Sequence, residues 1–547
     1  MLLDACIEKL TARRSLVFVF FLCVTLFAYG TILLGGFVFD DNIFIEHNAH
    51  IRSLGNIGDI YSSSTTAGSG LVGDNFYRPN QQFIYAILYS LFDLTPFFFH
   101  LTSLAFHALN GCLVFLLFLH IGLKKRTAFF GSLLFLLHPV LTEAVSYISG
   151  LSDPLVTSTI LLTLLIFLRY VRQDSLKQRE RWFLLGVLVF SFGLFSKENQ
   201  VVALGLLGVL ALFEYKQNRL VRVFPTVVFI GVLSIIASLY VYARLTVLDF
   251  TGIIGLTADA NAYTQSVWVR LATFVHIVPE YFKMMFSPWH LYYEKPYISY
   301  GSLMSIQSGI GLIVLCTAGA VALGALVRKR HDTLLGAFVG LLWFFIALLP
   351  VSGIIPINAM YLEHWLYLPI IGSIIALCFL YERLPARAEK VFPYVLAGVL
   401  ALYIVRIIMR NAEWGDPLRF YTNELRYTQT SARIYTDLGM EEAAHDRCDV
   451  AIEHYQKAIS INDSYPQTHH NMAQCLAHLG KREEAANEYL KALFIQPDFI
   501  YSLSGLSNLL FSVGDVRGLQ FLELQKKAEE GAPVTHEDIR RAIAEQK

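Results

Sequence analysis

Eleven apolar stretches, divided by polar connections, decide what this chain can fold into. They fall at 15–37, 97–121, 128–147, 155–170, 182–195, 201–215, 224–245, 306–327, 334–349, 361–381 and 391–409. A helix needs about 20 mostly apolar residues to cross the hydrocarbon core of a bilayer. Backbone groups at that depth must bond within the protein, so repeated spans of this kind mean helices. The expected fold is all-α: a polytopic membrane domain of about 11 transmembrane helices over 1–410. Hydrophobic residues make up 55% of the chain and charged residues 16%, against about 25% charged in a soluble domain. Disordered, collagen-like and disulfide-scaffold classes are excluded on the same grounds.

Basic clusters recur at alternate connections: Lys124-Lys125-Arg126, 172–181, 216–222, Arg328-Lys329-Arg330 and 383–390. Arg13 and Arg14 precede the first stretch. The positive-inside rule then places the N-terminus and these clusters in the cytosol. Eleven crossings leave everything after 410 on the outer side, in a periplasm or an ER lumen. Two further apolar segments, 81–92 and 267–288, are short or carry charge, and read as interfacial or re-entrant helices. The stretch at 15–37 reads as a retained anchor, since no small-residue cleavage site follows it.

Charge changes character near Arg410. Residues 411–547 hold 14 basic and 21 acidic residues, a net charge of −7, while 1–410 hold 29 and 22, a net charge of +7. The balance is zero, which gives no field to attract nucleic acid. The tail is self-similar with a period of 34. Tyr435, Leu438, Gly439, Ala451, Tyr455 and Ala458 align with His469, Met472, Ala473, Ala485, Tyr489 and Ala492. Small residues where paired helices touch, at that period, make a tetratricopeptide solenoid. We read a linker helix at 411–431, repeats at 432–465 and 466–499, a degenerate capping repeat at 500–533, and a tail at 534–547.

Ionisable residues at or near membrane depth are costly and mark function. Asp40-Asp41 follows the first span, at the start of an outer loop over 37–80. The two adjacent carboxylates point in different directions, so one can act as general base while the other positions a neighbour. Arg78 closes that loop, with a guanidinium suited to bidentate phosphate binding. His138, Pro139 and Glu143 interrupt an apolar helix, and Asp153 follows. Lys197-Glu198 sits between two short spans, and Glu363-His364 at the outer start of another. Carboxylates with Lys, Arg and His on one side of a membrane suit an anionic headgroup and an activated hydroxyl. A sugar on a polyprenyl phosphate meets both requirements.

Gly-Gly-Phe-Val-Phe-Asp-Asp-Asn, Tyr-Arg-Pro, His-Pro-Val-Leu-Thr-Glu-Ala-Val, Ser-Lys-Glu-Asn and Glu-His-Trp-Leu-Tyr-Leu-Pro occur in that order, followed by the repeats. This order resembles the transmembrane and tetratricopeptide-repeat-containing O-mannosyltransferases, of the GT-C glycosyltransferase class. The resemblance covers nearly the whole chain. It implies transfer of a sugar, usually mannose, from a polyprenyl-phosphate donor to Ser or Thr hydroxyls with inversion. It also implies Asp40 as base with Asp41 close behind, Arg78, Lys197 and His364 toward the donor phosphate, and His138, Glu143, Glu198 and Glu363 lining the pocket. The sequence departs from the pattern in having few repeats, and in having Ser152-Asp153-Pro154 where Arg-Ala-Asp is usual. The alternatives are a related enzyme acting on a lipid or glycan, or a transporter or scaffold docking partners through its repeats. The repeats offer a surface for an acceptor protein. No metal-ligand spacing stands out among the 7 Cys, and no cofactor is expected. Cys448 and Cys475 fall on neighbouring helices, within disulfide reach. Asn462-Asp463-Ser464 is a glycosylation sequon.

Overall fold

The computed structural model describes residues 10–11, 13–69, 76–217, 219, 222–246, 261–327, 333–357 and 359–544. Cys6 and the 328–330 basic cluster lie outside them. The regular structure of the described residues is helical, as expected. The chain divides into two compact units, Met1–Gly415 and Asp416–Lys547. The division falls past Arg410 because one helix, Ala386–Trp414, runs through the change in composition.

Each of the eleven apolar stretches coincides with a helix. Seven of the described helices are long and apolar enough to cross a membrane, from Ser15–Leu34 to Arg387–Trp414. An eighth is a bent pair, Lys125–Leu136 with Pro139–Ser146, turned by 50°. Pro139 causes the break, since it has no N–H for the ladder. Helix Leu176–Leu194 is charged over its first turns, and Ile306–Ala320 and Pro369–Tyr381 are shorter. Helix Pro96–Ile121 begins on Pro96 and stops at Gly122, whose φ of 100° fits a residue without Cβ. Helix Val267–Phe286 buries Arg270, Thr273 and Tyr281 and exposes Trp268 and Leu271. Its Arg270 binds the carbonyls of Tyr263, Thr264 and Gly353.

One segment of the membrane unit has no regular span of its own. From His138 to Asp153 the chain makes a 3-10 turn, a short helix Thr142–Ser146, and another 3-10 turn, Ile148–Leu151. Every residue of it is buried. Irregular backbone at membrane depth survives only where protein surrounds it. Gln81 donates to the Ser149 carbonyl at 2.8 Å, Tyr85 to that of Ile148 at 2.6 Å, and Ser146 to Asn411 at 2.7 Å.

The second unit repeats a helix pair three times: Ala432–Ala444 with Cys448–Ile461, Pro466–His478 with Arg482–Ile495, and Ile500–Ser512 with Arg517–Glu529. Ala451, Ala458, Ala485 and Ala492 are fully buried where the helices touch. Asp446, Gly480 and Gly514 share one left-handed backbone position in successive repeats. The 534–547 segment departs from the tail expected. It contains the helix His536–Ala544, whose Ile539 and Ala542 cap the apolar core of the last repeats. A recess of about 370 Å³ opens between Met440, Tyr455, Asn471, Gln474 and His478. Cys448 and Cys475 line it as buried, reduced thiols, and the sequon's Asn462 is exposed.

His469 pins two repeats together. Its ring is buried, with Nδ1 2.6 Å from Glu488 and Nε2 2.6 Å from Asp463. Burial alone would favour the neutral ring, but the two carboxylates outweigh it and hold the His469 pKa above its usual value. A raised pKa contributes stability that is full below the unfolded value of about 6.5 and is lost as pH rises through the folded value. His469→Gln is therefore expected to destabilise the repeats by about 1–2 kcal/mol at acid pH and by less at alkaline pH. Hydrogen exchange of Pro466–His478 in the full chain, variant against wild type at matched pH, measures it. An equal effect at both pH values would refute the clamp.

Candidate active site

The acidic pair separates into two environments. Asp41 is buried. Its Oδ1 accepts from the Ser149 hydroxyl at 2.5 Å and the Ser149 N–H at 2.8 Å, and its Oδ2 accepts from the Val38 N–H at 3.1 Å. Burial pushes the Asp41 carboxyl up to about 7, against the pull of Ser149 and Val38, and neighbouring Asp40 adds to the rise. Asp41 is thus an anchor tying the first loop to the irregular segment. Asp40 is half-buried. It follows Phe39, a bulky residue at φ 60°, and precedes the π-turn Asn42–Glu46. A left-handed phenylalanine costs energy and persists only where surroundings enforce it. Here the Phe39 ring packs edge-on against Tyr293 and Tyr147, and Tyr147 stacks on Trp414. Asp40 is presented beside this aromatic wall.

A second cluster is cationic. Lys197 is buried and bonds both oxygens of Asp153, at 2.7 and 2.8 Å. Arg78 and Glu198 act on Lys197 electrostatically, so the sequence candidates Arg78, Lys197 and Glu198 share one place. Arg78 lies over the Phe76 ring, and its buried Nε has no hydrogen-bond partner among the described residues. Arg244, from the far end of helix Val223–Thr246, reaches within 3.8 Å of Glu198. Three cations from three elements meet two carboxylates.

The third cluster joins Glu143 to Glu363-His364. Oε1 of Glu143 accepts from His364 Nδ1, and Oε2 accepts from the N–H groups of Glu363 and His364 at 3.1 and 3.3 Å. Glu363 is buried, 3.4 Å from Arg410 and 3.8 Å from Lys295. Arg410 also binds Glu413 at 2.7 Å and lies over Trp414. His364 therefore stands with Glu143, which accepts from its ring and its N–H. His138 does not face a pocket. Its Nε2 donates to the Met285 carbonyl, at the end of helix Val267–Phe286, at 2.9 Å, and its Nδ1 accepts from the Val140 N–H beside Pro139, so both nitrogens serve backbone groups.

The irregular segment is the common wall. Glu143 holds the third cluster, Ser149 the first, and Asp153 the second. Sequence reasoning missed Ser149, Arg244, Tyr293, Lys295, Arg410 and Trp414. A serine or a helix-end arginine carries no local signal of a distant partner, such as the 108 residues between Ser149 and Asp41 or the 47 between Arg410 and Glu363. Among the described residues, no group of three or more His, Cys, Asp or Glu is placed to hold a metal ion.

The family model for dolichyl-phosphate-mannose-protein mannosyltransferases matches residues 79–242, and a tetratricopeptide repeat model matches 466–499. Among curated proteins, the protein O-mannosyl-transferase TMTC3 of Mus musculus is 22% identical over 86% of this chain and 54% of its own length. The protein O-mannosyl-transferase F38B6.6 of Caenorhabditis elegans is 24% identical over 81% of this chain and 62% of its own. The chain thus spans little more than half the length of these relatives. Among solved structures, ArnT from Cupriavidus metallidurans in the apo state aligns over 88% of this chain and 79% of its own, at 15% identity and a TM-score of 0.40. Over most of its length, then, this chain is similar to proteins named protein O-mannosyl-transferases, and its C-terminal unit carries the repeat match.

Proposed function

We propose that the chain is a membrane mannosyltransferase that moves mannose from a polyprenyl-phosphate donor to Ser or Thr hydroxyls of proteins, with inversion. The observation that carries this reading is Asp40: a half-buried carboxylate held on a strained turn after the first span, beside an anchor, Asp41. A general base must be fixed yet reachable, and this geometry provides both. The names of the family model and of the relatives supply the sugar and the acceptor class. Arg78, Lys197 and Arg244 supply the charge that a phosphate requires, in a chain whose helices suit a lipid tail. Cations so placed stabilise the leaving phosphate as charge develops on it. Attack opposite that phosphate inverts the anomeric carbon, through an oxocarbenium-like state.

The repeats are read as lying on the same outer side, with the recess between Met440 and His478 holding acceptor chain. A scaffold would leave Asp40 and the cation cluster without a task. The test is transfer of labelled mannose from a polyprenyl-phosphate donor to Ser/Thr peptides by the purified full chain. Wild type is expected to label peptide, and Arg78→Ala to raise the donor KM about tenfold or more, as loss of one charged contact implies. Label appearing only on lipid or glycan acceptors would replace the protein-acceptor reading.

A further inference from the structure

We infer that Glu143 and His364 form a carboxylate–imidazole dyad that delivers a proton to the leaving phosphate. This rests on the transfer reading above and adds a second proton-handling group to it. Glu143 is fully buried and fixed through three acceptor contacts: His364 Nδ1 and the N–H groups of Glu363 and His364. Its carboxylate thereby sets the ring's tautomer, with the proton on Nδ1 directed at Oε1. Nε2 is left on the side of the ring away from Glu143, and the His364 side chain is 18% exposed. The comparison with other histidines is instructive. His138 uses both nitrogens on the backbone, His107 uses both on Tyr367 and the Leu136 carbonyl, and His469 uses both on carboxylates. His364 has one nitrogen held and one presented, the arrangement that general acid–base histidines share.

Placement supports the role. Tyr147 caps the short helix that carries Glu143, its N–H donating to the Glu143 carbonyl at 3.2 Å. Tyr147 packs against Phe39, the residue before Asp40. Tyr147 therefore joins the backbone of Glu143 to the turn that carries Asp40. The charged groups around the dyad are Glu143 on the short helix, Glu363 beside it and, beyond Glu363, Lys295 and Arg410. The Lys295 and Arg410 charges are directed to Glu363, which leaves Glu143 as the counter-ion of the imidazolium.

In the step, Asp40 accepts the proton of the acceptor hydroxyl as its oxygen bonds to the anomeric carbon. The bond from that carbon to the phosphate oxygen breaks, and the oxygen keeps the electron pair. His364 Nε2 gives its proton to this oxygen and becomes neutral. Asp40 then loses its proton to water and His364 regains one, so the products are the mannosylated hydroxyl and the protonated polyprenyl phosphate. His364 touches the reacting phosphate; Glu143 is its positioning residue.

The experiment is the pH dependence of kcat for the full chain with polyprenyl-phosphate mannose and a Ser/Thr peptide. Wild-type kcat is expected to fall on the alkaline side as the imidazolium deprotonates. His364→Asn should lower kcat about 10²- to 10⁴-fold and abolish that alkaline fall, with donor KM near wild type. Glu143→Gln, which keeps the shape and removes the counter-ion, should move the fall to lower pH. That shift is a readout a purely structural role would not produce, and it serves if H364N misfolds. A raised donor KM with kcat and the alkaline limb unchanged in H364N and E143Q would overturn the dyad and leave His364 a phosphate ligand. A wild type that labels no acceptor would overturn the transfer reading and the dyad with it.

Discussion

Asp40→Asn is expected to lower turnover by about 10²- to 10⁴-fold, the usual worth of a positioned general base, while the fold and donor affinity stay near wild type. Asp40 sits half-buried at the end of the first span, and its neighbour does the structural work. Asp41→Asn should fail differently. Its amide can still accept from Ser149, but the second position now presents N–H groups to the Val38 N–H. One buried hydrogen bond is replaced by two opposed donors, at a cost of about 1–3 kcal/mol. The pH dependence separates the two further. The Asp41 pKa is raised, to about 7, so its proton-linked stability is full below the unfolded value of about 3.9 and fades as pH rises through 7. Thermal melting of the wild-type chain should show that loss across pH 7, and D41N should lack it. Equal turnover of D40N and wild type would remove the base assignment. Loss of stability in D40N matching that in D41N would erase the division of labour.

The second large effect concerns the Lys197–Asp153 pair. Both side chains are at most 8% exposed, 2.7 Å apart. Removing one partner of a buried pair leaves an uncompensated charge, at about 3–5 kcal/mol. Asp153→Ala should therefore lower the melting temperature markedly and reduce the folded yield. Replacing both residues, Asp153→Leu with Lys197→Met, removes both desolvation costs together and should recover most of the stability. Donor binding should not recover in the double variant, because one of the three cations is gone. Differential scanning fluorimetry with and without a polyprenyl phosphate reads both quantities. D153A melting with wild type would mean that the pair is not the lock we describe. A double variant that still binds the lipid would take Lys197 out of the donor site.

Much of this architecture is legible in the sequence because it follows from local rules. Hydropathy over about 20 residues finds helices wherever they must meet lipid, and each of the eleven stretches is one. A period of 34 finds repeats because each pair packs against the next in one way. Asp40-Asp41 is legible as a pair because two carboxylates after an apolar span are costly anywhere else. Which of the two points inward is not legible. It depends on Ser149, which belongs to another element, and on a left-handed Phe39 that no residue rule anticipates. The same holds for His364, which sequence chemistry groups with Arg78 and Lys197 as a cation. The fold gives it to Glu143, 221 residues earlier. His138 misleads for the opposite reason. A histidine beside a proline in an apolar run reads as a pocket residue, yet both nitrogens of His138 are taken, one by the Val140 N–H of the break and one by the Met285 carbonyl of another helix.

The stitched ends of the irregular segment bear on how the molecule is made. Ser146 donates to Asn411, Asn411 in turn donates to the Ala28 carbonyl and to Thr31, and Glu363 pairs with Arg410. The helix Ala386–Trp414 thus clasps the first span to the stretch around Glu143, although it is synthesised after both of them. Until it arrives, the unwound backbone from His138 to Asp153 lacks part of its cover, and Glu363 has no guanidinium. The wall is therefore closed only once the helix Ala386–Trp414 is made, so a chain halted before Arg410 would hold the earlier spans without the wall complete between them.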